Sequence, residues 1–469
     1  MGDFAIAIDT LHENEVEEII IDVTQIIKES AQWHPECCIY KVPKRLRKVM
    51  EQAYTPKLIS IGPVHYDNGE LPNMKTLKLK YFKDFFSRTF KSQKEFASII
   101  EANEDKIRHC YAEEIPLPER KDFVKMILLD SIFIIELFWR NFERARRSTQ
   151  KEYMVKDYIL RDYILNKPWL ACGILQDLRL LENQLPYFIL EQLHKKSGFP
   201  AKQESFLTLA CMYFFGGGGE LSIDKNKVKH FTDLYRHFYH APLGNQGIGE
   251  GIEHCATKLD TAGLLFKKWE PQKPEGNSFE GSRDLLKIEF QNPSENLYIN
   301  WSWPLHCLPC LGKLSCLEHL QTRLEIPQFV VQDETEELFR NLMALEQCHY
   351  PTEAYICNYI LLLDHLINSK EDVELLVEEG IIVNSLGSTE AVANMVNKFG
   401  QEITEITSYY CDVADAVNKH YLSPWNQNMA SLKRVYFRDI WRGTATVVGV
   451  LVLIMGLLTF LGPSGLGIF

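Results

Sequence analysis

Apolar positions recur at three- and four-residue spacing along most of this chain, the period of amphipathic helices. Near the start, Val16, Ile19, Ile20, Val23, Ile26 and Ile27 fall on one helical stripe, which predicts an acidic helical N-terminal segment over residues 1–35. From Met74 to about Leu193 the pattern is helical throughout, interrupted at Asn183-Gln184-Leu185-Pro186, with Pro186 suited to the first position of a new helix. The run FVKMILLDSIFIIELFW, Phe123–Trp139, is apolar nearly all round but contains Lys125, Asp130 and Glu136. Three charges would be costly in lipid, so this reads as the central helix of a soluble core, with Asp130 and Glu136 needing partners. Asp333 with Glu336 reads as a capping box opening a helix striped by Leu338, Phe339, Leu342, Met343 and Leu345; further helices run to about Tyr421, one capped by Ser388. Strands are expected at KLISIGPVHY, ending in a turn at Gly62-Pro63, and within 286–331 at LLKIEF, LYINWSW and RLEIPQFVV. Residues 197–285 look less regular, with flexible surface loops at Gly216–Gly219, GNQGIGEG and PQKPEGNSFEGS around a helix near His230. The fold class is mainly α: a large helical soluble body with a small β element and one C-terminal transmembrane helix.

That last helix is the segment TATVVGVLVLIMGLLTFL, Thr444–Leu461, uncharged and without a polar face at any helical period. Eighteen helical residues reach about 27 Å, close to the ~30 Å hydrocarbon core. The chain then divides into the N-terminal segment 1–35, the body 36–425, a basic juxtamembrane stretch 426–443, the span 444–461 and a short tail 462–469. Lys433, Arg434, Arg438 and Arg442 precede the span and no charge follows it, which predicts a cytosolic body and a single-pass, tail-anchored topology. The first charges of the chain are Asp3 and Asp9, against a secretory signal, and Ile6 stands where a myristoylation motif needs Ser or Thr. The sequon Asn300-Trp301-Ser302 is used only if the body is luminal.

Composition narrows the function classes. Hydrophobic residues make up 46% and charged residues 24% of 469, ordinary for a globular protein. A net charge of −12 disfavours general nucleic-acid binding. Twelve scattered cysteines in so long a chain read as reduced, mostly buried thiols rather than a disulfide framework.

The candidate chemistry is thin. Gly216–Gly219 follows an apolar segment but is succeeded by Glu220 and Leu221, not by the Gly-Lys-Ser/Thr of a phosphate loop. His230, Asp233, His237 and His240 share one helix face and are zinc-ligand types; with Phe231, Leu234, Tyr235 and Phe238 packing on the other side, that face is expected to be the solvated one. His306, Cys307, Cys310 and Cys316 contain one CxxC half-site without a second pair. Asp130 and Glu136, six apart, do not share a helix face and are not read as a catalytic pair. The basic KVPKRLRK, Lys41–Lys48, broken by Pro43, suits an acidic-lipid contact or a solvated face. No catalytic residue, cofactor site or metal site is assigned.

Several segments resemble a plant family known as domain of unknown function 247: CCIYKVPKRLR from Cys37, ISIGPVHY from Ile59, IRHCYAEEI from Ile107, MILLDSIFIIELF from Met126, LRLLENQLPYFILEQL from Leu178 and DETEELFRNLMALEQC from Asp333. The resemblance runs from about Pro35 to Leu461. It implies a plant protein, largely helical, ending in one membrane span, with no established catalytic residues; some grass members of the family are implicated in pollen self-incompatibility recognition, a role not extended to this chain. The reading is a membrane-anchored interaction or recognition protein that meets the bilayer through Thr444–Leu461 and a protein partner through its body. The alternative is a membrane-associated enzyme such as a hydrolase.

Overall fold

The computed structural model describes residues 34–66, 72–115, 117, 119–150, 162–198, 205–216, 227–239, 241–242, 246–270, 285–292, 321–424, 426–428 and 440–461. The expected N-terminal helix, the LYINWSW strand, the Cys307 half-site with its sequon, Gly217–Gly219, His240 and the basic stretch 429–439 lie outside the described residues.

The expected central helix is there. It spans Arg120–Gln150, 31 residues. Phe123, Ile127, Ile132 to Ile135, Leu137 and Phe138 are fully buried. Burial on all sides explains why this stretch is apolar all round. Around it pack the helices Pro72–Thr89, Gln93–Ala102, Tyr187–Ser197 and Phe206–Phe215. A second group, Thr335–His349, Tyr355–Leu366, Lys370–Glu378 and Thr389–Phe399, packs together beside Phe231–Phe238. One hydrophobic core runs through both groups, from Cys38 to Val417.

The β content is small. Strands β1 (Leu265–Lys268), β2 (Glu289–Gln291) and β3 (Arg323–Ile326) form a sheet of order β1-β3-β2, with β1 parallel and β2 antiparallel to β3. Strands β4 (Phe329–Val331) and β5 (Ile382–Asn384) pair in parallel, Val330 opposite Val383.

Several expectations are corrected. The segment Lys57–Ile61 joins no sheet, because side chains rather than a neighbouring strand take its amides. The helix expected at Asp333 starts at Thr335, with Glu334 at the N-cap and no side-chain cap; the capping box is made instead by Ser369 and Asp372. Pro186 is the N-cap residue, one position before Tyr187. Residues 197–285 hold, besides the expected helix near His230 at Phe231–Phe238, the helices Phe206–Phe215 and Ala256–Thr261 and strand β1. Part of GNQGIGEG is held in place: Gly247 and Ser408 exchange both backbone hydrogen bonds, at 3.0 and 2.9 Å. A side chain at Gly251 would collide with His365 Nε2, 2.4 Å from its Cβ position. Ser388 does cap its helix, accepting from the Ala391 amide at 3.2 Å.

The C-terminal helix runs Ile440–Leu461. Its side chains are described at 445–446 and 448–459, and each from 448 to 459 is exposed. Among the described residues no helix is long and apolar enough to cross a membrane.

Candidate functional site

A dense cluster of buried polar groups surrounds the turn between helix Pro168–Asp177 and helix Tyr187–Ser197. Leu178, Leu180, Leu181 and Leu185 sink the turn into the core and take Glu182, Asn183 and Gln184 with them, all but fully buried. Buried polar groups must be paired, and here they pair with backbone from distant parts of the chain. Glu182 accepts from the Val42 amide at 2.7 Å, is bonded by Arg47, and lies 3.0 Å from His65 Nε2. Asn183 accepts from the Ile61 amide at 2.6 Å and donates to the carbonyls of Ile59 and Asp177, both at 2.9 Å. Gln184 donates to the carbonyls of Leu178 and Leu180 and accepts from the Phe231 amide at 2.9 Å. Tyr111 donates its hydroxyl to the Gln184 carbonyl at 2.9 Å.

Neighbouring groups finish the cluster. Asp177 accepts the amides of Lys57, Leu58 and Ile59, at 2.8, 2.6 and 2.7 Å. Asp130 accepts the Gly62 amide at 2.9 Å and pairs with Lys78. Asn341 accepts the Leu181 amide at 2.9 Å and donates to the Ala53 carbonyl at 2.7 Å. Gly62 has φ of +72°, and a Cβ there would stand 2.5 Å from the Gln184 oxygen, so glycine is required. Burial alone would raise the Glu182 carboxyl, but His65, Arg47 and the Val42 amide together hold it below the usual carboxylate range. Burial lifts Asp177 to about 6 against its three amides.

A second cluster forms under helix Phe231–Phe238. The face carrying His230 and Asp233 is buried, not solvated. His230 caps the helix by accepting the Asp233 amide at Nδ1, 3.3 Å, while Nε2 meets the Cys38 carbonyl at 3.0 Å. Asp233 accepts the Lys229 amide and the Tyr350 hydroxyl, and His237 Nε2 lies 3.5 Å away. Arg236 bonds Glu346 at 3.1 Å and its guanidinium stacks on Tyr350 and Tyr355. Burial lowers His230 to about 4. Burial would raise Asp233, yet His237 and His230 hold it at about 2. Burial lifts Glu346 to about 7 in spite of Arg236.

Chemically, both clusters hold backbone and charge in place. The carboxylates are occupied by donors, and the buried histidine is neutral. Among the described residues no group of three or more His, Cys, Asp and Glu side chains is placed to hold a metal ion. Asp130 and Glu136 both found partners: Glu136 is bonded by Arg140 at 2.9 Å and by Arg88. Arg140 in turn joins Asp162 and Asp84. Gly216 ends helix Phe206–Phe215 with φ of +69°. A phosphate loop needs a helix N-terminus, so the glycine run starts at the wrong pole. Pro43 does break the basic run Lys41–Lys48: the helix Lys44–Val49 begins only after it, and in that helix Arg47 turns inward to Glu182 and Arg45 pairs with Glu402, so the run is not wholly a solvated face. The nine described cysteines are free thiols, and only Cys172 is exposed. A cleft of about 220 Å³ lies beside the first cluster, lined by Ile39, Lys41, Pro63, Val64, Tyr111, Glu113, Glu114 and Ile115.

Residue pattern had pointed to helix packing and a proline-defined helix start at Leu180–Pro186. It does not reveal that Glu182, Asn183, Gln184 and Asn341 hold five separate stretches of chain together: Val42, Ala53, Ile59–Ile61, Tyr111 and Phe231. The available signal was the set of motif segments itself, since each of the six contributes a group to this cluster or the adjoining one.

The helical body is organised around these buried clamps, which tie segments distant in the chain to one another. The family model for the plant proteins of unknown function called DUF247 matches residues 39–455, and the chain belongs to that family. It is similar to the UPF0481 protein At3g47200 of Arabidopsis thaliana, 25% identical over 90% of this chain and 85% of that protein. It is also similar to the putative UPF0481 protein At3g02645 of Arabidopsis thaliana, 24% identical over 89% of this chain and 88% of that protein. No solved structure matches.

Proposed function

We propose that this plant protein is a membrane-anchored interaction protein, carried on the bilayer by its C-terminal helix with the body in the cytosol. The observation that carries the reading is the contrast between that helix and the other described helices. Helix Ile440–Leu461 is 22 residues long, about 33 Å at the helical rise. Val448, Val450 to Met455, Leu457 and Leu458 all stand exposed on it, on every side of the helix. Contiguous apolar surface of this kind calls for a lipid or protein partner. Lys433, Arg434 and Arg438 before the helix and Arg442 in its first turn favour a cytosolic body.

The interaction role has support in the body. Among the described residues, the buried carboxylates Glu182, Asp177, Asp130 and Glu136 are engaged by amides and cations, as a scaffold requires. Deleting Gly443–Phe469 should release the body from microsomes into the soluble fraction. Continued pelleting of the truncated chain after a carbonate wash overturns the anchor. An N-terminal tag should be digested by protease added to intact microsomes, and Asn300 should stay unglycosylated; a protected tag together with a glycan reverses the topology. Proximity labelling from that tag in plant cells should return a reproducible protein partner, and labelling no different from an anchor-only control counts against the interaction role.

A further inference from the structure

Helix Pro72–Thr89 has two faces. Met74, Tyr81 and Phe85 are buried in the core. The helical period places Thr76, Leu79, Lys80, Lys83 and Ser87 on the opposite side, within a stripe of about 100°, and every one of them is exposed. Leu79 is therefore an apolar side chain on the outer face, 51% exposed. Phe90 follows directly, 90% exposed with φ of +53°. Its amide bonds the Phe86 carbonyl at 3.1 Å, so it is the left-handed residue that closes the helix, a place usually taken by glycine. A β-carbon in that region is strained, and a ring standing in solvent returns no packing in exchange. Folding alone does not account for Phe90.

The charge around it is one-sided. Lys75, Lys80, Lys83, Lys91 and Lys94 are exposed along this face and its tip. The nearby acids are engaged: Glu95 pairs with Lys196 at 2.5 Å and Asp84 with Arg140 at 2.9 Å. This is a cationic face on a chain of net charge −12.

We propose that this face seats on an anionic phospholipid surface, its lysines among the headgroups and Leu79 and Phe90 in the interfacial layer. The proposal rests on the membrane-anchored reading, because the anchor keeps the body beside a bilayer. A lipid surface is favoured over an acidic protein on two counts. Leu79 and Phe90 lie about 16 Å apart along the helix, too far to form one hot-spot cluster. Lysine, depleted from protein interfaces, has the long stem suited to headgroups.

The test uses the full chain in nanodiscs of phosphatidylcholine alone or mixed with phosphatidylserine, with Phe90→Trp reporting position 90 by difference from the wild type. In phosphatidylserine discs the emission should shift to the blue and be quenched by brominated lipid. Lys80→Glu, Lys83→Glu and Lys91→Glu together should abolish both effects. The same unquenched emission in both discs overturns the proposal, and so does lysine-dependent capture of an acidic protein without quenching. Phe90→Gly should raise the melting temperature, by relieving the left-handed strain, while weakening phosphatidylserine flotation several-fold; a lowered melting temperature overturns the argument from strain. Should carbonate strip the chain from the discs, the anchor reading fails by itself. Co-flotation of the same chain with phosphatidylserine vesicles then decides: flotation lost in the lysine variant upholds the proposal, and absence of flotation sinks it.

Discussion

Removing the carboxylate of Glu182 should be among the most damaging single changes in the body. Its two oxygens hold the Val42 amide at 2.7 Å, the Arg47 guanidinium and His65. Glu182→Ala leaves the buried Val42 amide without its acceptor, a loss of about 1–3 kcal/mol. It also takes from Arg47, whose side chain is only 17% exposed, its buried counter-charge, leaving the exposed Glu51 at 3.8 Å and the Thr55 hydroxyl at 3.5 Å. Breaking a fully buried pair costs about 3–5 kcal/mol, and the residual exposure of Arg47 lowers that figure, so a total near 3 kcal/mol is expected. Glu182→Gln keeps an oxygen for Val42 but leaves Arg47 only the exposed Glu51 as counter-charge, and should cost about 1–2 kcal/mol. The assay is urea unfolding of the full chain in mild detergent, followed by tryptophan fluorescence. At a slope of ~3 kcal/mol/M the alanine variant should lower the midpoint by about 1 M. An alanine variant that costs less than ~1 kcal/mol at unchanged slope would refute the reasoning that this turn clamps the fold.

Gly62→Ala meets both a φ of +72° and a carbonyl 2.5 Å from the new Cβ, and should cost about 3 kcal/mol in the same titration, with Gly263→Ala, open on all sides but also at positive φ, costing about 1. Burial holds His194, His230 and His420 each at about 4, below their unfolded value. Their stabilising contribution is complete above ~6.5 and lost as pH falls towards 4, at ~1.4 kcal/mol per unit for each. Glu346 at about 7 and Asp177 at about 6 act the other way, costing stability as pH rises through their folded values. Three groups outweigh two, so the melting temperature should fall on acidification from pH 7 to 4.5; a flat or rising profile contradicts the burial argument. Among the described thiols, a water-soluble maleimide should modify Cys172 first, and mass spectrometry finding Cys38 or Cys110 modified as fast would show that the N-terminal part of the core opens.

Some of this molecule could be read along the chain because the governing rule is local. The apolar run Phe123–Trp139 with only three charges had to be a buried helix, and Arg120–Gln150 is one. The need of Asp130 and Glu136 for partners followed from the cost of burying a charge. Ser388 was legible as a cap because an N-cap bonds within its own first turn. The motif segments were legible as motifs, and so was the family.

What tertiary structure decided lies in contacts between distant segments. Nothing near Glu182 in sequence announces that Val42, 140 residues away, will donate to it. The amides of Lys57–Ile61 need acceptors, and a strand was the local guess; Asp177 and Asn183 supply them from about 120 residues downstream. The same limit turned the histidine face the wrong way. A helical wheel tells which residues share a face, but only the packing of Cys38 and Tyr350 against His230 and Asp233 makes both faces of a short helix buried. Periodicity records how a segment divides its own residues between two sides, whereas the partner that covers each side is set by chain folding over long separations.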